Sequence, residues 1–236
     1  MKNSSLRRIR LRLTALCLIG TAVILQACGS ELPPVVPTTI SLPVTTAEAA
    51  ALPQGQLFAD DFNNPLSGWD VRHDTDAITD YQNGEFVIFV GKTNTTLWSI
   101  PNHYLTEVSV EVDAREVAGP DDNLFGVICR YQDANNFYRF VIAGNGYAGI
   151  TKRVGGQVIV ISGPLLTRSP AVIRGQASNH LHAICQGSQL RLYVNDQLVA
   201  QATDSDFQGG DVGLLASTGD HKGVEIHFTH FVVTQP

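Results

Sequence analysis

From about residue 56 onward, apolar and polar positions alternate in short runs. The clearest is Glu107 to Asp113, where Val108, Val110 and Val112 share one side and Glu107, Ser109, Glu111 and Asp113 the other. A half-buried strand has this period of two. Leu124 to Tyr131 and Asn136 to Ala143 flank the polar turn QDANN. Gly144-Asn145-Gly146 then leads into YAGITKRV, and Gly155-Gly156 into QVIVIS. A second series follows: HLHAICQ, a Gly187-Ser188 turn, QLRLYV, an Asn195-Asp196 turn and QLVAQAT, with Val224 to Val233 closing the chain. Turn residues between β-branched and aromatic runs predict hairpins, and no stretch carries a helical stripe. The pattern predicts one all-β domain over residues 56–236, a two-sheet antiparallel sandwich of jelly-roll type.

The first 55 residues have another texture. Lys2, Arg7, Arg8, Arg10 and Arg12 precede the apolar run Leu13 to Leu25, which is short of the roughly 20 residues that span a bilayer, so residues 1–27 read as an export signal. The run ends Leu25-Gln26-Ala27-Cys28, which resembles the bacterial lipobox, with Gln26 an unusual filler. This resemblance implies cleavage before Cys28, acylation of that cysteine and a lipid anchor in the cell membrane facing the extracytoplasmic side. Residues 28–55 are rich in Pro, Thr and Ala, without aromatic residues, and read as a partly extended tether.

Cleavage changes the charge. Five of the 16 Lys+Arg and none of the 22 Asp+Glu leave with the signal, so the remainder carries 16 − 5 = 11 bases against 22 acids, net −11. Without a basic face, nucleic acid is not an expected partner. Cys17 leaves too and Cys28 takes lipid, which leaves Cys129 and Cys185. In an oxidising compartment this pair predicts a disulfide; two buried free thiols are the alternative.

The segments LFADDF, NPLSGW, FGVICRYQDANNFYRFVIAGNGYAGITK, LHAICQGSQLRLYVNDQLVA, DSDFQGGDVGLLA and VEIHFTHFVV together resemble the concanavalin A-like/laminin G-like jelly rolls of bacterial secreted proteins. The nearest named relative by this resemblance is the 3-keto-disaccharide hydrolase domain, with Asp196 where a Gly is usual. The resemblance implies a fold shared by glycan-binding modules and hydrolases alike.

Candidate chemistry follows from residue types. Arg130, Tyr131, Tyr138 and Arg139 on the central hairpin, with Tyr147 and Lys152 on the next strand, suit a ligand groove, because aromatic faces stack on sugar rings and guanidinium groups donate paired hydrogen bonds. Trp69 and Trp98 are either further platforms or core anchors. Laminin G-like domains often hold calcium, and Asp60, Asp61 and Asn63, or Asp121, Asp122 and Asn123, supply the oxygens a hard cation wants. Glu111, Asp113 and Glu116 fit the E-x-D-x-x-E spacing of laminarinase-type glycosidases, yet a regular strand turns Glu116 away from the other two. His180 and His182 share a strand face, whereas His227 and His230, three apart, do not. No G-x-S-x-G or H-E-x-x-H occurs. The expected function is binding of a glycan or a surface protein; hydrolysis of a 3-keto-glycoside with unassigned catalytic residues, or a structural role in the envelope, are the alternatives.

Overall fold

The computed structural model describes residues 55–236; residues 1–54, with the signal, Cys28 and all but the last residue of the tether, lie outside them. In chain order the strands are β1 (Gln56–Asp60), β2 (Arg72–Asp74), β3 (Ala77–Gln82), β4 (Glu85–Val90), β5 (Thr96–Ser99), β6 (Val108–Ala118), β7 (Leu124–Asp133) and β8 (Asn136–Ala143). They continue with β9 (Tyr147–Val154), β10 (Gln157–Val160), β11 (Thr167–Arg168), β12 (Ser178–Gln186), β13 (Gln189–Val194), β14 (Gln197–Thr203), β15 (Asp211–Ser217) and β16 (Val224–Thr234). There is no helix among the described residues.

The strands form two antiparallel sheets. The larger runs β14-β13-β12-β6-β16-β4-β3-β2, with β1 also on β16; the smaller runs β10-β9-β8-β7-β15-β5, with β11 also on β9. Turn chemistry sets the registers. Asn195 and Asp196 take φ of 48° and 65°, and Asn83 and Gly84 take 54° and 79°, the left-handed pair that two-residue hairpins need.

Alternation fills the space between the sheets. Val108, Val110, Val112, Phe228 and Leu192 of the larger sheet meet Phe125, Val127, Phe140, Ile150 and Leu214 of the smaller. Each such side chain contributes about 1.5–3 kcal/mol through burial. Trp69 belongs to this core, edge-on to Phe231 at 4.9 Å. Cys129 on β7 and Cys185 on β12 are joined by a disulfide, so the expected pairing forms and links the two sheets.

A second apolar cluster is less ordinary for a sandwich. Ile128, Phe137, Val141 and Leu215 are fully buried on the outer face of the smaller sheet, under Trp98, Leu124, Tyr131 and Leu166.

Candidate functional site

That outer face carries polar groups whose bonding is incomplete. On β8 and β9, Arg139 pairs with Thr151 and Phe137 with Arg153, so Arg139, Thr151 and Arg153 project on the side of the second cluster. Arg139 is 3% exposed and donates from Nη2 to Ser217 Oγ at 3.0 Å; its Nε has no partner. Thr151 Oγ1 and Arg153 Nε are also buried without partners. Burial, and then the positive charge of Arg153, bring the Arg139 guanidinium down to about 10. Among the described residues, neither arginine has an ion-pair partner. The Arg153 guanidinium lies 5.8 Å from the ring centre of Trp98, which stands 6.3 Å from Tyr131 and 5.5 Å from Phe137.

The expected groove residues divide between two sides. Tyr131 and Arg139 share the outer face, and Tyr147 lies on it at the far end of β9, with Arg168 5.2 Å over its ring. Tyr147 lines a cleft of about 380 Å³ with Leu124, Leu165, Leu166 and Asp122. Arg130, Tyr138 and Lys152 do not join them. Arg130 takes φ 52° at the bulge that ends the regular β7–β8 pairing, which re-aims its side chain. Its guanidinium donates to the carbonyls of Thr106, Gly187 and Phe207 and pairs with Glu107 at 3.2 Å. Tyr138 points into the core and donates to Asp204 at 2.6 Å; burial, then this carboxylate, push its hydroxyl well above the usual tyrosine range. Lys152 alternates to the same side and is paired with Asp204 and Asp206. A groove made of all six residues is therefore corrected to a face holding three of them, joined by Trp98, Thr151, Arg153 and Ser217.

Two larger hollows, of about 460 and 530 Å³, flank Tyr104 and Glu107. The cation that lines the second, Arg130, is already satisfied by main-chain oxygens, so these hollows offer a ligand less than the outer face does.

Carboxylates elsewhere are mostly used. Asp60 Oδ1 accepts from Phe62 N at 2.7 Å, and its Oδ2 from Trp69 Nε1 at 2.9 Å and from the Ser67 hydroxyl. Asp60 thus clamps a loop, Asp61 is exposed and accepts from Asn63 N, and this corner does not fit a cation. The second acidic corner differs. Glu116 is 2% exposed, with neither carboxylate oxygen bonded, and Asn123 Oδ1 is buried and unbonded too. Burial first, then Asp121 and Asp122, push Glu116 up to about 7. Gly144 makes room for it, since a Cβ there would stand 2.4 Å from Glu116 Oε2. No three of His, Cys, Asp or Glu converge as metal ligands among the described residues. A cation here would need amide and main-chain oxygens beside the carboxylates, a set that suits calcium.

On the outer face of the larger sheet, Asp113 accepts from His180 at 2.9 Å and from His230 at 3.1 Å, and Glu111 lies 3.6 Å from His180. Glu116 faces inward, so Glu111, Asp113 and Glu116 do not converge. A bulge between Thr229 and Val232 brings His230 to the face that His227 also occupies, which corrects the expectation from regular spacing.

Comparison with solved structures places the fold. Carbohydrate-binding module CBM66 from Bacillus subtilis superposes with a TM-score of 0.57 at 19% identity, covering 72% of this chain and 96% of that one. The fold is a galectin-like jelly roll. A Bacillus subtilis protein of unknown function with a galectin-like fold (TM-score 0.56, 10% identity, 77% and 96% covered) and Bacillus licheniformis β-glucanase (0.53, 12%, 78% and 100%) are similar in the same way. No family model matches the chain, and no curated protein does.

Proposed function

We propose that this chain is a membrane-anchored extracytoplasmic lipoprotein whose jelly-roll domain binds a glycan through the outer face of its smaller sheet. The observation that carries the reading is the group Arg139, Arg153, Thr151, Trp98 and Tyr131: half-buried aromatic rings beside buried donors that the protein leaves unpaired. Rings supply a stacking wall for the apolar side of a sugar, and guanidinium and hydroxyl groups fix its orientation. That folds of this kind serve as carbohydrate-binding modules and as glycoside hydrolases supports a saccharide ligand. Hydrolysis, including that of 3-keto-disaccharides, finds less support, because the arginine face carries no paired carboxylates to serve as acid and base.

Glycan-array binding by the purified chain tests the reading: Trp98→Ala, assayed at a temperature where the variant is folded, should lower binding by about tenfold. Failure of the wild type to bind any glycan on the array would remove it. Labelled palmitate entering wild type but not Cys28→Ser tests the anchor separately. A calcium ion held by Glu116, Asn123 and the acidic loop of Asp121 and Asp122 is a further part of this proposal, supported by the orphaned oxygens there.

A further inference from the structure

Resting on the glycan reading, we infer that the ligand is an acidic saccharide whose carboxylate is taken up by Arg139 and Arg153. The chain carries 22 acidic side chains, and in the described residues most of its other arginines and lysines near carboxylates use them: Arg72 with Asp74, Lys92 with Asp76, Arg115 with Glu85, Arg130 with Glu107 and Lys152 with Asp204. Arg139 and Arg153 are different, each with a buried Nε that has no partner. They are diagonal neighbours on adjacent strands, one of them 3% exposed, and their mutual repulsion is met by no anion.

Burying a cation without a counter-charge costs several kcal/mol, so such a pair persists where something outside the fold compensates it. Arg139 is committed at one nitrogen only, to Ser217 Oγ, which in turn shares a hydrogen with Thr96 Oγ1 at 2.7 Å. Ser217 and Thr96 thereby hold the guanidinium in place while its other donors stay free. A planar guanidinium presents two parallel N–H groups to a carboxylate, and two guanidinium groups together match one anion far better than they match a neutral hydroxyl. Trp98 and Tyr131 select a ring over an acidic peptide: a carboxylate drawn to Arg153 brings the atoms attached to it against Trp98, whose ring centre is 5.8 Å from that guanidinium. Thr151 Oγ1, opposite Arg139 in register, is a further buried polar atom on this side of the sheet that the fold leaves without a partner.

The test titrates the purified full chain with oligogalacturonate, with neutral oligogalactan of the same length and with poly-glutamate, by calorimetry at low and high salt. Binding of oligogalacturonate at least about tenfold tighter than of galactan, weakened by salt, is expected. Arg139→Met and Arg153→Gln should each remove about tenfold or more of it. Because Arg139→Met deletes an uncompensated buried charge, its unliganded melting temperature should rise rather than fall, which separates ligand recognition from a structural role. Equal or stronger binding of galactan overturns the acidic-sugar inference and leaves the glycan reading standing, whereas binding of none of the three and of no array glycan removes both. Poly-glutamate binding as tightly as oligogalacturonate, or uronate binding that both substitutions spare, also overturns it.

Discussion

Cys129 and Cys185 stand 6.9 Å apart between their Cα atoms, one on each sheet, and their bond crosses the interior of the sandwich between strands that share no hydrogen bond. The loop it closes, 56 residues in sequence separation, contains β8 to β11 and most of β12. Linking the sheets directly restricts the unfolded chain. The double variant Cys129→Ala/Cys185→Ala should lose about 2–4 kcal/mol of unfolding free energy, read from denaturant curves under oxidising conditions. The same curves under a strong reductant should bring wild type to the level of the variant.

Glu116 makes stability depend on pH. Its pKa rises on folding from 4.5 to about 7, so the folded state keeps a proton that the unfolded state gives up. With a chelator present, its contribution is most favourable below about pH 4.5, declines as pH rises toward 7 and is flat above that, a span of about 3 kcal/mol. Glu116→Gln should abolish this component and be the more stable protein at pH 8. Millimolar calcium should raise the melting temperature of wild type at pH 8 and leave Glu116→Gln unmoved; equal shifts in the two would place the ion elsewhere.

Arg130 and Tyr138 should behave as parts of the fold. Arg130→Met strips donors from three carbonyls and from Glu107, and a loss of about 3 kcal/mol or more is expected in thermal unfolding. Tyr138→Phe removes one hydrogen bond to Asp204 and one from Phe207 N, at about 1–2 kcal/mol. Neither should change glycan affinity at a temperature where the variant is folded, a result that calorimetry on the array ligand would show.

Much of the architecture was legible because it obeys local rules. The alternation of Val108, Val110 and Val112 places β6 with one face in the core, and Asn195-Asp196 marks a hairpin whose two left-handed residues are both in place. The site was harder to read. Six residues on three strands read as one strip, but alternation sends Tyr138 and Lys152 inward, and a bulge withdraws Arg130 by a turn in φ that its neighbours in sequence do not signal. Arg153 was within reach: counting outward from Gly144-Asn145-Gly146 pairs Ile142 with Ala148 and so Phe137 with Arg153. Trp98 and Trp69 are alike as sequence, and only the packing of the sheets assigns one to the outer face and the other to the core. Glu116 sits on the inward parity of β6, as alternation from Glu111 and Asp113 predicts, but its burial beside Asn123 with no bonded oxygen is not written in the spacing.

The pairing of β1 with β16 has a mechanical side. Gln56 lies opposite Thr234 and Asp60 opposite Phe231, so a pull on Gln56 would enter the five-residue β1 at its first rung. The proposed ligand face belongs to the other sheet, so a pull between that face and Gln56 would load the two sheets against each other across the Cys129–Cys185 bond. The covalent link would carry that load through the centre of the sandwich, whereas β1 is held by non-covalent contacts, its pairing with β16 and the packing of Phe58 on Trp69 and Phe231.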